Sequence, residues 1–402
     1  MFKKTLVALA VASASFAAVA DNEQTQPSLE EMWKLIQQQN AEIKELKAEL
    51  NKNKTQIQET EIKVVATAEA VEKQATVSSA SARWAEKTTL GGYGEHHFNH
   101  FEEGTDKVDA HRFVLFMGHQ FNDKVSFFSE LEVEHGFAGP DDEAPGEVEL
   151  EQAYIKWDFA EKHSAVMGQF LVPVGILNET HEPDTFYGTE RNNVESKIVP
   201  ATWWETGVML QGELAPGFTY NAAIHSGLNL DDADGVRDGR QKSAKADAED
   251  LAFTGRLKYT GIAGLELAAT LQYQQDVTQG TFETADATLF ETHAVYQSGN
   301  FGLRALYADW NIDGIDFNLS GYDEQTGWYI EPSYKVTDKT GLFVRYSEWN
   351  NLEGLSGSQE SERLDYGVNY WLTDTVVLKA DYSDDRNGGN DSLNLGLGWS
   401  FY

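Results

Sequence analysis

Val125-Ser126-Phe127-Phe128-Ser129-Glu130-Leu131-Glu132-Val133-Glu134 places Val125, Phe127, Leu131 and Val133 on one face of an extended chain, and Ser126, Glu130, Glu132 and Glu134 on the other. Side chains alternate across a strand. Three carboxylates in a row cannot be buried between the sheets of a soluble sandwich without paired cations. That face therefore meets water, and its neighbours meet an apolar medium. The same alternation recurs along the chain. Leu251, Phe253, Leu257 and Tyr259 oppose Arg256 and Lys258. Leu265, Leu267, Ala269, Leu271 and Tyr273 form another apolar stripe. Two more are Leu364, Tyr366, Val368, Tyr370 and Leu372, and Leu393, Leu395, Leu397, Trp399 and Phe401. Arg112 to Phe121 is apolar on both faces, and the parity of Leu90 to Phe101 is ambiguous.

The gaps between strands alternate short and long. Tight turns rich in turn formers fall at Asn122-Asp123-Lys124, Ala160 to His163, Ala215-Pro216-Gly217, Gly261 to Gly264, Ser298-Gly299-Asn300, Thr337-Asp338-Lys339 and Thr373-Asp374-Thr375. Eight longer polar loops lie between them. Sixteen segments from Thr88 to Tyr402 thus read as an all-β transmembrane barrel of 16 antiparallel strands, residues 88–402, with both termini on the short-turn, periplasmic side. Trp157, Tyr259, Tyr273, Tyr370 and Trp399 at apolar-face ends fit interfacial belts in a Gram-negative outer membrane, against lipid and lipopolysaccharide.

Residues 1–20 read as a signal peptide, with Lys3 and Lys4, the apolar run Leu6 to Val19, and Ala18-Val19-Ala20 before Asp21. Residues 21–77 read as an α-helical coiled coil in the periplasm. Its a positions, Leu29, Ile36, Ile43, Leu50, Ile57, Val64 and Val71, recur every seven residues. In a parallel coil Glu42 would face Lys47, and Glu49 would face Lys54. Polar residues at half the d positions point to moderate stability. Residues 78–87, with small residues from Ser78 to Ala82, read as a linker.

The chain has no cysteine, which excludes disulfides and thiolate–metal sites, and its formal charge is −34. Of the charged residues, 53 acidic and 20 basic ones fall in 88–402, a field that argues against nucleic acid as a partner. No nucleophile motif suggests an enzyme, and nothing calls for a cofactor. No metal set is expected either. Of His96, His97 and His100, only His96 and His100 share a face and they lack a third ligand, and Asp231-Asp232-Ala233-Asp234-Gly235 lacks the bidentate Glu of a calcium loop, since Lys242 holds that position.

Leu150 to Trp157 (LEQAYIKW), Gly168 to Ile176 (GQFLVPVGI) and Thr206 to Leu214 (TGVMLQGEL) resemble strands four to six of the phosphate-selective porin O and P family. The heptad segment is similar to that of its DcaP-like branch. The resemblance implies a homotrimeric sixteen-stranded outer-membrane channel. Phosphate-selecting members carry arginine-rich walls and usually end in Phe, whereas the loops here are acidic and the chain ends at Tyr402.

The expected function is therefore a water-filled channel for passive diffusion of small hydrophilic solutes, anions among them. The alternative is a structural or adhesive barrel whose rod and loops bind envelope components. The longest loop, Pro173 to Ala201, is the expected constriction, through Glu179, His181, Glu182, Asp184, Tyr187, Glu190, Arg191 and Lys197. Inward charges are expected to segregate. Glu130, Glu132, Glu134, Glu149, Glu151, Glu205 and Glu213 would form an acidic side, and Arg256, Lys258, Arg304, Lys335, Arg345, Arg363 and Lys379 a basic wall. Arg112, Lys156, Glu266, Glu291, Glu331, Asp365 and Asp381 break that pattern.

Overall fold

The computed structural model describes residues 28–137, 145–231, 235–387 and 389–402. The expected signal segment 1–20, the side chain of Val71, and Asp232 to Asp234 lie outside them. The chain divides into two units, one up to Ser81 and one from Ala82. The helix α1 runs Leu29–Glu86. The linker expected at 78–87 is thus helical backbone to Glu86, because Ser and Ala are tolerated in a helix and no Gly or Pro interrupts the segment. Leu29, Ile36, Ile43, Leu50, Ile57 and Val64 are all exposed on the single chain.

The second unit is a closed barrel, its strands in chain order around the ring. They are β1 (Thr88–Phe101), β2 (Lys107–Asn122), β3 (Val125–Glu134), β4 (Val148–Ala160), β5 (His163–Leu171), β6 (Trp204–Ala215), β7 (Phe218–His225) and β8 (Ala252–Ile262). Then follow β9 (Leu265–Gln274), β10 (Asp286–Ser298), β11 (Phe301–Asp313), β12 (Glu324–Thr337), β13 (Thr340–Asn350), β14 (Ser361–Thr373), β15 (Val376–Asp385) and β16 (Ser392–Phe401). The ring closes by antiparallel pairing of β1 with β16, from Gly92 opposite Phe401 to Phe101 opposite Ser392. Closure leaves no edge, the condition for sheet backbone in hydrocarbon.

Register carries the inward set from strand to strand. Phe116 lies opposite Glu130, Phe128 opposite Tyr154, Asn221 opposite Arg256 and Arg345 opposite Asp365. Outward-facing Leu131, Phe253, Leu257, Leu271, Tyr366 and Leu395 are exposed, as a lipid face requires. The two ambiguous strands resolve the same way: Tyr93 and Glu95 of β1 and Arg112 and Val114 of β2 are buried inside, whereas Phe113 and Leu115 are exposed outside. Val114, on the inner face of strand two, is fully buried, so an apolar side chain is accommodated there.

The third long loop, residues 172–203, carries α2 (Asn193–Lys197), and α3 (Ile315–Ser320) lies between β11 and β12. An apolar core sits inside the barrel. Val194, Ile198 and Trp203 of the third loop and Leu228 and Leu230 of the fourth, residues 226–251, join inward Leu289, Trp310 and Trp349. Each such side chain removed from water contributes ~1.5–3 kcal/mol.

Candidate functional site

The third loop is built around two buried polar side chains. Asn178 ties its ends together, donating to the Val172 and Trp203 carbonyls at 2.8 and 3.0 Å and accepting from Trp203 N–H at 2.6 Å. Glu195 accepts from the Ile176 and Leu177 amides at 2.9 and 2.5 Å and from the Tyr329 hydroxyl of β12 at 2.7 Å. Burial lifts its carboxyl above the usual range despite these donors. The Asn192 side chain caps α2 through Glu195 N–H at 2.8 Å. Helix α2 rests on β12 at Gly327, where a Cβ would meet Ile198 and Val194 Cγ1, each at 3.0 Å.

From this frame the loop reaches walls on opposite sides of the ring. Arg112 of β2 donates to the His181 carbonyl at 2.6 Å, and Arg304 of β11 to that of Thr185 at 2.8 Å. Asn369 of β14 donates to Phe186 O at 3.0 Å, and Thr189 N–H to Asp381 of β15 at 2.6 Å. Glu190 meets His97 and Asn99 of β1 at 3.1 and 3.0 Å, and Ser400 of β16 donates to Asp184. Glu179 takes both terminal nitrogens of Arg256 on β8, which holds its carboxyl low against the opposing effect of burial. Glu182 is half-buried, and Lys197 is exposed with its ammonium over Trp349. The loop therefore crosses the lumen.

The expected basic side is on the inner face, but it is not a free cationic wall. Arg345 lies 3.3 Å from Glu331 and 3.6 Å from Asp365, Lys258 3.1 Å from Glu266, and Arg363 2.8 Å from Asp385. Lys379 is buried over Phe186, and Lys335 lies over Trp371. Glu266, Glu331 and Asp365, which broke the sequence pattern, are counterions here, because burying a charge beside an opposite one offsets part of the desolvation cost. Glu205 is likewise engaged, with Trp203 Nε1 at 2.9 Å and Ser226, and Glu213 pairs with Lys162 at 2.8 Å.

The acidic face of β3 and β4 keeps its character. Glu130, Glu132 and Glu151 are buried, and Glu134 and Glu149 half-buried. Across from it stand cations that the sequence reading passed over, on the fourth loop. Arg237 donates to the Ser196 and Ala201 carbonyls, each at 2.7 Å, and Arg240 to Pro200 at 3.3 Å and Thr202. Arg191 donates to Thr202 Oγ1 at 2.6 Å. Burial and then the charge of neighbouring guanidiniums, Arg240 and Arg191 for Arg237 and Arg191 for Arg240, lower both pKa values; Glu134 opposes this at both, and Glu149 and Glu151 at Arg240. Lys242 spans to Glu147 at 2.7 Å and to Glu149. The only sequence signal was three cations in Val236 to Lys242 within an acidic loop.

Two cavities flank the third loop. One of about 550 Å³ is lined by Glu130, Gln152, Tyr154, Phe170, Glu179 and His181. The other, about 450 Å³, is lined by Asp184, Tyr187, Arg304, Ser333, Lys335 and Trp371. Of the three histidines on β1, His96 packs on Trp399 and His100 pairs with Asp106 at 2.8 Å, both exposed, while His97 points inward. They form no common site.

Residues 189–390 match the family model described as Gram-negative porin. The chain belongs to the Gram-negative porin family. It is an outer-membrane channel for small solutes. An uncharacterised protein of Aquifex aeolicus is 26% identical to this porin over 351 residues, which cover 78% of the chain and 80% of the relative. Among solved structures the porin resembles the outer-membrane channel DcaP of Acinetobacter baumannii (TM-score 0.56, 15% identity, 78% of this chain and 97% of that one). It also resembles OmpF of Salmonella typhi (0.57, 14%, 78% and 97%) and an anion-selective porin from Comamonas acidovorans (0.55, 12%, 78% and 99%).

Proposed function

We propose that solutes cross this porin between Glu132, Glu134, Glu149 and Glu151 of the β3–β4 wall and Arg191, Arg237 and Arg240 of the third and fourth loops. In this reading the third loop, through Glu179, His181, Glu182, Asp184, Glu190, Arg191 and Lys197, sets the aperture. The permeants are small hydrophilic solutes, anions among them. One observation carries the reading: the three guanidiniums hydrogen-bond to carbonyls and a hydroxyl rather than to carboxylates, so their charge is available to a passing solute. A transverse field of this kind replaces part of a solute's hydration by fixed charge. Reversal potentials under a KCl gradient test it. Arg191→Gln with Arg240→Gln should move selectivity toward cations, and an unchanged potential would remove the loop guanidiniums from the path.

The exposed a positions of α1 support association of the helices as a parallel coiled coil. The finer family reading is a homotrimer of the DcaP-like branch of the phosphate-selective porin O and P family, with the rod in the periplasm. Lipid and lipopolysaccharide cover the outer apolar band. Phosphate itself is disfavoured as the chief permeant, because Arg256, Lys258, Arg345 and Arg363 of the wall are paired with carboxylates.

A further inference from the structure

Where the third loop meets β3 and β4, three ligand-type atoms converge on the barrel wall. His181 Nε2 lies 3.5 Å from Glu130 Oε1 and 3.6 Å from Glu151 Oε2. All three side chains are at least nine-tenths buried. The other imidazole nitrogen, Nδ1, faces the Asn178 carbonyl at 3.2 Å. A carbonyl only accepts, so Nδ1 donates to it, and Nε2 is the ring nitrogen aimed at the two carboxylates. His181 Nε2 and Glu151 Oε2 have no hydrogen-bond partner, and neither oxygen of the neighbouring, buried Glu132 has one. Among the described residues no lysine or arginine nitrogen comes within 4.0 Å of these three carboxylates. Of the neighbouring guanidiniums, Arg112 is occupied by Glu95 at 2.5 Å and Arg191 donates to Thr202 Oγ1 at 2.6 Å. One imidazole nitrogen and two carboxylate oxygens thus converge within ligand spacing of one another, an arrangement that a dication fits.

We propose that Glu130, Glu151 and His181 form a binding site for one divalent cation of the zinc class, which clips the third loop to the barrel wall. Ligand bonds of 2.0–2.2 Å at tetrahedral angles put ligands ~3.4 Å apart, close to the two spacings found. The outer groups are also in place: Gln152 donates to Glu130 Oε2 at 2.6 Å, Tyr93 O–H donates to Glu130 Oε1 at 3.3 Å, and Asn178 fixes the imidazole. Glu130 and His181 also line the 550 Å³ cavity, which supplies an entry path and room for water as the fourth ligand. The outer cluster Asp109, His111 and His135 differs, since Asp109 already accepts from both rings at 3.1 and 2.8 Å.

The test is a Zn(II) titration of the folded, chelator-stripped full-length protein in detergent, followed with a competing chromophoric chelator. One equivalent per chain should bind tightly. Glu151→Gln and His181→Gln should each weaken it at least 100-fold, and His135→Gln should leave it intact. Mg(II) should not compete. If either variant loses the heat-modifiable mobility of a folded barrel, X-ray absorption on the wild type decides: one imidazole with carboxylate oxygens supports the site, two imidazoles assign the ion to His111 and His135 and overturn it. Absence of a tight equivalent, or binding lost in His135→Gln alone, also overturns it.

Discussion

Replacing Glu195 with alanine should release the third loop while leaving the barrel intact. In the wild type one buried carboxylate satisfies two amides and the Tyr329 hydroxyl. Alanine leaves all three donors unpaired in a dry core, at ~1–3 kcal/mol each. Removing the cost of burying the carboxylate offsets part of this, so we expect a net loss of ~3 kcal/mol, or about 150-fold in the ratio of docked to undocked loop. Tyr329→Phe removes one donor and should cost about half as much. Two assays read the effect. Single-channel currents should become noisier and larger on average, because the loop crosses the lumen. Trypsin should cut the folded variant after Arg191 or Lys197, sites resistant in the wild type. Heat-modifiable mobility should be unchanged, since the strand ladder does not involve Glu195. Currents and protease resistance identical to wild type would refute the assignment of Glu195 as the loop's central tie.

Gly327→Leu should unseat α2, because the new side chain would occupy the space of Ile198 and Val194, and should reproduce the noisy currents in a folded barrel. Arg345→Glu should reduce folded yield rather than shift selectivity, since it sets a third carboxylate beside Glu331 and Asp365; a well-folded variant with altered selectivity would contradict this. Acid should loosen the fourth loop. The hydrogen bond from Lys242, against the opposing effect of burial, holds Glu147 below its ordinary 4.5. A depressed carboxylate stabilises above that ordinary value and loses its contribution as pH falls through the lowered one. Conductance should therefore change in a step below pH 4.5, and Glu147→Gln should remove most of that step.

The barrel was legible because lipid imposes a strict period on the outer face: Leu393, Leu395 and Leu397 can only sit one way. The inner face obeys no such rule. Glu331 and Asp365 looked like exceptions to a basic wall until strand pairing set Arg345 between them, and register is a long-range property. The third loop was identifiable by length and position, but not its anchors, because Asn178 and Glu195 act on backbone groups far along the chain. Arg237 and Arg240 were missed for the same reason. They serve carbonyls of another loop, and their own segment reads as solvated acidic chain. The backbone stays helical from Ser78 to Glu86, where small residues suggest a linker, because no Gly or Pro interrupts it, and the division between the two units falls at Ser81.

The central claim is that the lumen is a water-filled path narrowed by the third loop. Single-channel recording of the purified full-length protein in planar bilayers tests it most directly. The account predicts discrete, long-lived current steps, nearly ohmic at low voltage. A correctly folded, membrane-inserted protein that passes no current would contradict it.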